Sequence, residues 1–238
     1  MKPVVGVLAV LALFFGPGAL GAEPLLLYGY YHAQTYPFGF LMEDVADFSN
    51  VLILEIGRYE KEEDILDKVL GIPRARELGY NVILGFEGFS LNGRLSPEEF
   101  EAQVGLTALR MRKAGYYRPD ALYAIYLMDE PPNFGFTLED QELFLEIVER
   151  YFPGFPTMIN YSYGQVRSPL HPIPEGVDIV SFDAYYFQAA RRDLSQPALE
   201  DYLESAMSAL RRKAPGKPIV YIAQSYQDRP SGFFFPTN

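Results

Sequence analysis

Seven short apolar runs, spaced by longer charged stretches, constrain this chain more than any other feature. They are LLLYGYY (25–31), NVLILEIG (50–57), YNVILGFEG (80–88), ALYAIYLMD (121–129), FPTMINYS (155–162), VDIVSFDAYY (177–186) and KPIVYIAQSY (217–226). Near-continuous hydrophobicity is expected of parallel strands buried on both faces. The stretches between them read as helices over 62–79, 96–115, 137–150 and 196–214. Ser96-Pro97-Glu98-Glu99 is a helix start, with a capping residue, a proline at the first position and acids in the first turn. Arg211-Arg212-Lys213 suits a helix C-terminus. Pro73 is expected to break or kink the first helix. The segment 164–176 is proline-rich and expected to be a loop with little helix.

Strands alternating with helices imply right-handed βαβ units and a parallel sheet. Two architectures satisfy that: an open doubly wound sheet and a TIM-type (β/α)8 barrel. A nucleotide-binding sheet carries a glycine-rich loop after its first strand. Here Tyr30-Tyr31-His32-Ala33-Gln34 stands in that place, which favours the barrel. The seventh strand ends near Tyr226, and only 12 residues follow. The eighth βα unit is therefore unaccounted for, and the barrel is expected either to lack it or to continue in a further C-terminal piece. The Phe-rich tail PSGFFFPTN would sit badly as a free end.

The N-terminus has the pattern of a secretory leader. Met1-Lys2-Pro3 precedes an apolar run over 4–15, interrupted by Gly6 alone, and GPGALGA follows. Cleavage is expected after Gly21 or Ala22, giving a leader over 1–22 and a single barrel domain over 23–238. The run is short for a membrane span, which needs about 20 apolar residues. The expected location is secreted or periplasmic, with no span in the mature protein. The net charge of −11 disfavours nucleic acid as a partner. The chain has no cysteine, which excludes disulfides and thiolate metal sites. Its two histidines, His32 and His171, form no zinc-binding spacing, so no metal and no cofactor is expected.

In a barrel the chemistry sits at the C-terminal ends of the strands. That rule gathers Tyr30, His32, Glu55, Glu87, Asp129, Glu130, Asn160, Tyr161 or Tyr163, Asp183, Tyr185 and Gln224 as candidates. Polar groups at nearly every strand end suit a hydroxyl-rich ligand. The adjacent acids of YAIYLMDEPP (123–132) stand out, because neighbouring carboxylates repel and lose solvation near a core.

Met128-Asp129-Glu130-Pro131 resembles the fourth-strand motif of the (β/α)8 glycoside hydrolases. Phe182-Asp183-Ala184-Tyr185-Tyr186 resembles the sixth-strand Asp-x-Tyr of similar sugar-active barrels. The resemblance implies an oligosaccharide or polysaccharide partner, with Glu130 as general acid and Asp129 as its orienting or tuning neighbour. Asp183, in the second of these motifs, is the candidate second carboxylate. Tyr30, His32, Glu55, Glu87, Asn160, Tyr163, Tyr185 and Gln224 are then contacts to sugar hydroxyls. One departure stands out: where the resemblance implies a nucleophilic Glu at the end of the seventh strand, this chain has Gln224.

Three ways around that departure stay open. Asp183 or Glu87 supplies the second carboxylate; or the reaction is substrate-assisted, as in the β-hexosaminidases that the Asp129–Glu130 pair resembles, with Tyr185 stabilising; or the barrel binds sugar without cleaving it. A retaining pair would stand about 5–5.5 Å apart and an inverting pair roughly 6.5–9.5 Å. The bland alternative for DEPP is a solvated strand-to-helix turn. A third class, a structural partner in an envelope assembly, would show an apolar patch where the eighth strand should be.

Overall fold

The computed structural model describes residues 9–13, 26–30, 47, 50–56, 62–86, 96–184, 196–223, 227–229 and 232–234. Seven strands follow one another in parallel: β2 (Leu26–Tyr30), β3 (Val51–Glu55), β4 (Asn81–Gly85), β5 (Ala124–Asp129), β6 (Thr157–Ser162), β7 (Ile179–Ala184) and β8 (Ile219–Ala223). The helices between them are α1 (Glu62–Glu77), α2 (Pro97–Ala114), α3 (Leu138–Tyr151), the single-turn α4 (Tyr163–Arg167) and α5 (Gln196–Lys213). This is an α/β, partial TIM-type barrel. The strand that ends in Asp129, fourth in the parallel set, is β5.

The eighth place in the ring is not filled by a βα unit. It holds β1 (Ala9–Leu13), which pairs antiparallel with both β2 and β8. Residues 9–13 of the run read as the apolar core of a leader thus lie between the two edge strands. The physical reason is that β2 and β8 each present an edge of backbone groups, and an apolar run that can be buried on both faces pairs with both. A chain cut after Ala22 would lack this strand. At the other end, β9 (Gln227–Arg229) and β10 (Gly232–Phe234) form a separate hairpin.

Side chains alternate between two cores. Val51, Ile53, Ile83, Ala124, Tyr126, Met158, Ile179, Val220 and Ile222 fill the barrel interior. Their neighbours in sequence, among them Leu52, Leu54, Val82, Leu84, Ile125, Ile159, Val180 and Phe182, pack outward against the helices. Phe100 of α2 and Phe144 of α3 meet in that outer layer with ring centroids 4.4 Å apart.

The helix starts follow from sequence. Ser96 caps α2 and Thr137 caps α3, each in a reciprocal box with the residue three positions on, Glu99 and Asp140. α2 ends at Gly115, which takes the left-handed conformation at φ 79°. The break expected at Pro73 does not occur, and α1 runs through it. Ile65, Val69, Ile72 and Ala75 are all buried on one side of α1, and that packing outweighs one missing backbone hydrogen bond. Among the described residues no helix is long and apolar enough to cross a membrane.

Candidate active site

β5 is regular as far as Tyr126, whose side chain is wholly buried in the barrel interior. There the register with β6 shifts: Tyr126 pairs with Met158, but Met128 pairs with Ile159 and Asp129 with Asn160. This β-bulge inserts one extra residue, so Leu127 and Met128 both join the outer core. Strict alternation would have aimed Met128 inward and Asp129 outward. The bulge reverses that, and Asp129 lands on the interior side.

Asp129 Oδ1 accepts two hydrogen bonds there, from the Tyr126 hydroxyl at 2.7 Å and from Asn160 Nδ2 at 2.8 Å. The same Asn160 nitrogen also reaches Asp183 Oδ2 at 3.3 Å. One amide therefore bridges acids from β5 and β7. Asn160 and Asp183 follow Met158 and Ile179 at strand spacing, on the interior face, and are 1% and 3% exposed. Asn160 Oδ1 is buried and has no hydrogen-bond partner among the described residues.

Glu130 is the one non-glycine among the described residues with a positive φ, at φ 42° and ψ 50°. A residue before proline is normally driven to extended backbone, so this left-handed state stores about 1–2 kcal/mol of strain. Hydrogen bonds over-determine it. The Glu130 N–H donates to Asn160 O at 3.0 Å, and Asn133 N–H donates to Glu130 O at 2.9 Å. The chain then enters a 3-10 turn, Pro131–Phe134, whose first residue is buried.

The turn brings the Glu130 carboxyl back over the strand ends. It accepts from Asn133 Nδ2 and is hydrogen-bonded to Asp183. A bond between two carboxyl groups requires a shared proton. The Glu130 carboxyl titrates above the ordinary carboxylate range. Burial is the main cause; the hydrogen bond with Asp183 opposes it, the charge on Asp129 adds to it, and the bond from Asn133 opposes it.

The structure thus brings Asp129, Glu130, Asp183 and Asn160 together. Glu55 occupies the interior face of β3, in register with Gly85. Gly85 presents no side chain at that level, and a Cβ there would stand 3.3 Å from Ile53 Cγ2. Tyr163 lies elsewhere, in the helical layer, stacked on Tyr202 of α5 at 3.7 Å between ring centroids and bonded through its hydroxyl to Arg167. For Tyr30 the structure describes the strand backbone alone, paired with Ala9 and Leu52. His32, Glu87, Tyr185 and Gln224 lie outside the described residues.

Three residues of the site carry no sequence signal strong enough to single them out. Tyr126 reaches Asp129 because of the bulge. Asn133 and Gln165 come from a turn and a one-turn helix. An Asn three residues after Glu130 was the one available hint. Among the described residues no cluster of acids and histidines forms a metal site.

Neither a family model nor a curated protein matches the chain. Solved structures do resemble it in fold. Endo-glycoceramidase II from Rhodococcus sp., in a cellobiose-like imidazole complex, superposes with a TM-score of 0.56 at 12% identity, over 79% of this chain and 62% of that one. A β-D-glucuronidase from Dictyoglomus thermophilum gives 0.52 at 16% identity, over 75% of this chain and 30% of that one. The chain spans less than two thirds of the length of either structure. The likeness shows a barrel of the kind that glycoside hydrolases use.

Proposed function

We propose that this protein cleaves a glycosidic bond, with Glu130 as general acid. The observation that carries the reading is the state of Glu130. It directly follows the last residue of a parallel strand, is held in a strained backbone conformation by two backbone hydrogen bonds, accepts a third at its carboxyl from Asn133, and keeps its proton to higher pH than an ordinary carboxyl. An acid with those properties protonates a leaving-group oxygen as the bond to the sugar breaks. Asp129, fixed by Tyr126 and Asn160, tunes Glu130 by its charge. Asn160 Oδ1 is an acceptor suited to a sugar hydroxyl.

Asp183 is the candidate second carboxylate. Its hydrogen bond to Glu130 is tighter than the spacing of either hydrolytic pair, about 5–5.5 Å or 6.5–9.5 Å. The pair would have to part to admit substrate, or a substrate group would serve as nucleophile beside Asp129. The same contact favours the second reading, a carbohydrate-binding barrel without turnover. The endo-glycoceramidase has been solved as a lactosyl-enzyme intermediate, and oligosaccharide is the partner class proposed for this chain.

The leader pattern supports export to a secreted or periplasmic location, with the domain over 23–238. The intact mass of the exported protein tests that: a product starting at residue 22 or 23 supports cleavage, and a product retaining residues 1–22 removes it. For the activity, the wild type and Glu130→Gln are assayed against aryl glycosides and oligosaccharides. Turnover by the first and none by the second supports the acid role. Equal binding of one sugar by both, without turnover, supports the binding barrel.

A further inference from the structure

We propose that Gln165 is a positioning residue for Glu130: its buried amide dictates which end of Asn133 faces the acid. The inference rests on Glu130 as the functional acid for its consequence, but its test reads the carboxyl directly.

Asn133 is exposed and sits on a short turn, so nothing in its own element holds its side chain. A carboxyl that keeps its proton can donate as well as accept, so an exposed amide beside it can present either its N–H2 or its carbonyl. Gln165 removes that freedom. It comes from α4, is 4% exposed, and its Nε2 donates to Asn133 Oδ1 at 2.8 Å. Its own Oε1 accepts from the backbone N–H of Ser162 at 3.1 Å.

The direction of this relay is fixed at its origin. The Ser162 N–H can only donate, so Gln165 must turn its oxygen toward Ser162 and its nitrogen toward Asn133. Asn133 must then turn its oxygen toward Gln165 and its nitrogen toward Glu130. Each amide has one acceptor end and one donor end, so a single backbone N–H sets the polarity of both. The result is a donor aimed at Glu130 Oε2. A donor favours the carboxylate that remains once the proton has passed to a leaving oxygen. Among the described residues, the ionisable groups facing Glu130 are Asp129 from the end of its own strand and Asp183 from β7, and both are acidic. Asn133 is therefore the neutral donor that offsets them.

The substitution that tests this is Gln165→Glu. A carboxylate at that position still accepts from the Ser162 N–H, and Ser-x-x-Glu is an accepted capping box, so α4 keeps its start. It has no donor for Asn133. Asn133 then turns its nitrogen to the new carboxylate and its oxygen to Glu130, where an acceptor favours the protonated acid. The Glu130 side-chain carbon is followed against pH by carbon-13 NMR, and its signal is assigned by its loss in Glu130→Gln.

The Glu130 midpoint is expected to move up in Gln165→Glu. A through-space charge effect would do the same, so the change is repeated in an Asn133→Leu background. Relay through Asn133 predicts that the shift falls to half or less there. A shift that keeps more than half its size without Asn133, or no shift in the single variant, overturns the proposal. Absence of glycosidase activity leaves this titration unaffected, so the two ideas fail separately.

Discussion

Asp129 and Asn160 stand in register across β5 and β6, and their side chains meet at 2.8 Å because a bulge after Tyr126 turns Asp129 inward. The Asn160 amide nitrogen is shared with Asp183, so it is the donor that makes two acids from different strands compatible. Replacing it with a third acid should expose that role. Asn160→Asp should be much less stable than wild type at neutral pH, and the gap should narrow in acid, where the cluster takes up protons. Urea denaturation at pH 4 and pH 7 measures this. An equal loss at both values would mean that Asn160 contributes packing alone.

The raised titration of Glu130 has a consequence for stability with a definite sign. Above its ordinary value of 4.5 and up to its folded value, the native state holds a proton that the unfolded state has lost. Stability therefore falls as pH rises through that window. Glu130→Gln removes the effect. Its stability relative to wild type should be greater at pH 7 than at pH 4, and a flat or opposite trend would contradict the assignment.

The left-handed backbone at Glu130 predicts an inverted ranking of small residues. At an ordinary position Ala is at least as stable as Gly. At φ 42° Gly relaxes without a Cβ penalty, so Glu130→Gly should be more stable than Glu130→Ala by about 1 kcal/mol. Thermal melting of the two variants checks it. Glu130→Ala melting at or above Glu130→Gly would remove the strain argument.

Lys213 at the end of α5 ties down the loop after α4. Its Nζ donates to the carbonyls of Gln165, Ser168 and His171 at 3.0, 2.6 and 2.9 Å. Lys213→Met should cost about 3 kcal/mol, at the level of one or two charge-assisted hydrogen bonds. It should also speed amide exchange over 163–171. A stability change under about 0.5 kcal/mol would show that water replaces these bonds freely.

Much of the fold was legible because buried parallel strands leave an unmistakable pattern. Runs such as VLILE and AIYLM admit few other readings, and the capping residues Ser96 and Thr137 mark helix starts directly. The strand-end rule also gathered Asp129, Glu130, Asn160 and Asp183. What the sequence hid depends on backbone detail. A one-residue bulge has no signature in YAIYLMD, so the facing of Asp129 and its bond to Tyr126 were not readable. The relay through Asn133 and Gln165 joins residues 32 apart in sequence through a contact that no local pattern encodes. What stands in the eighth place of the ring was not readable for a related reason. An apolar run over 4–15 suits both the core of a leader and a strand, and the pairing of residues 9–13 with β2 and β8 rests on contacts that no local pattern encodes.

The central claim is that Glu130 gives up a proton in breaking a glycosidic bond. The most direct test is a single comparison of wild type and Glu130→Gln on a graded series of aryl glycosides, from good to poor leaving groups. The account predicts a rate loss of about a hundredfold or more on poor leaving groups, which need a proton, and a much smaller loss on good ones. Equal turnover by the two proteins on the poor leaving groups would contradict it.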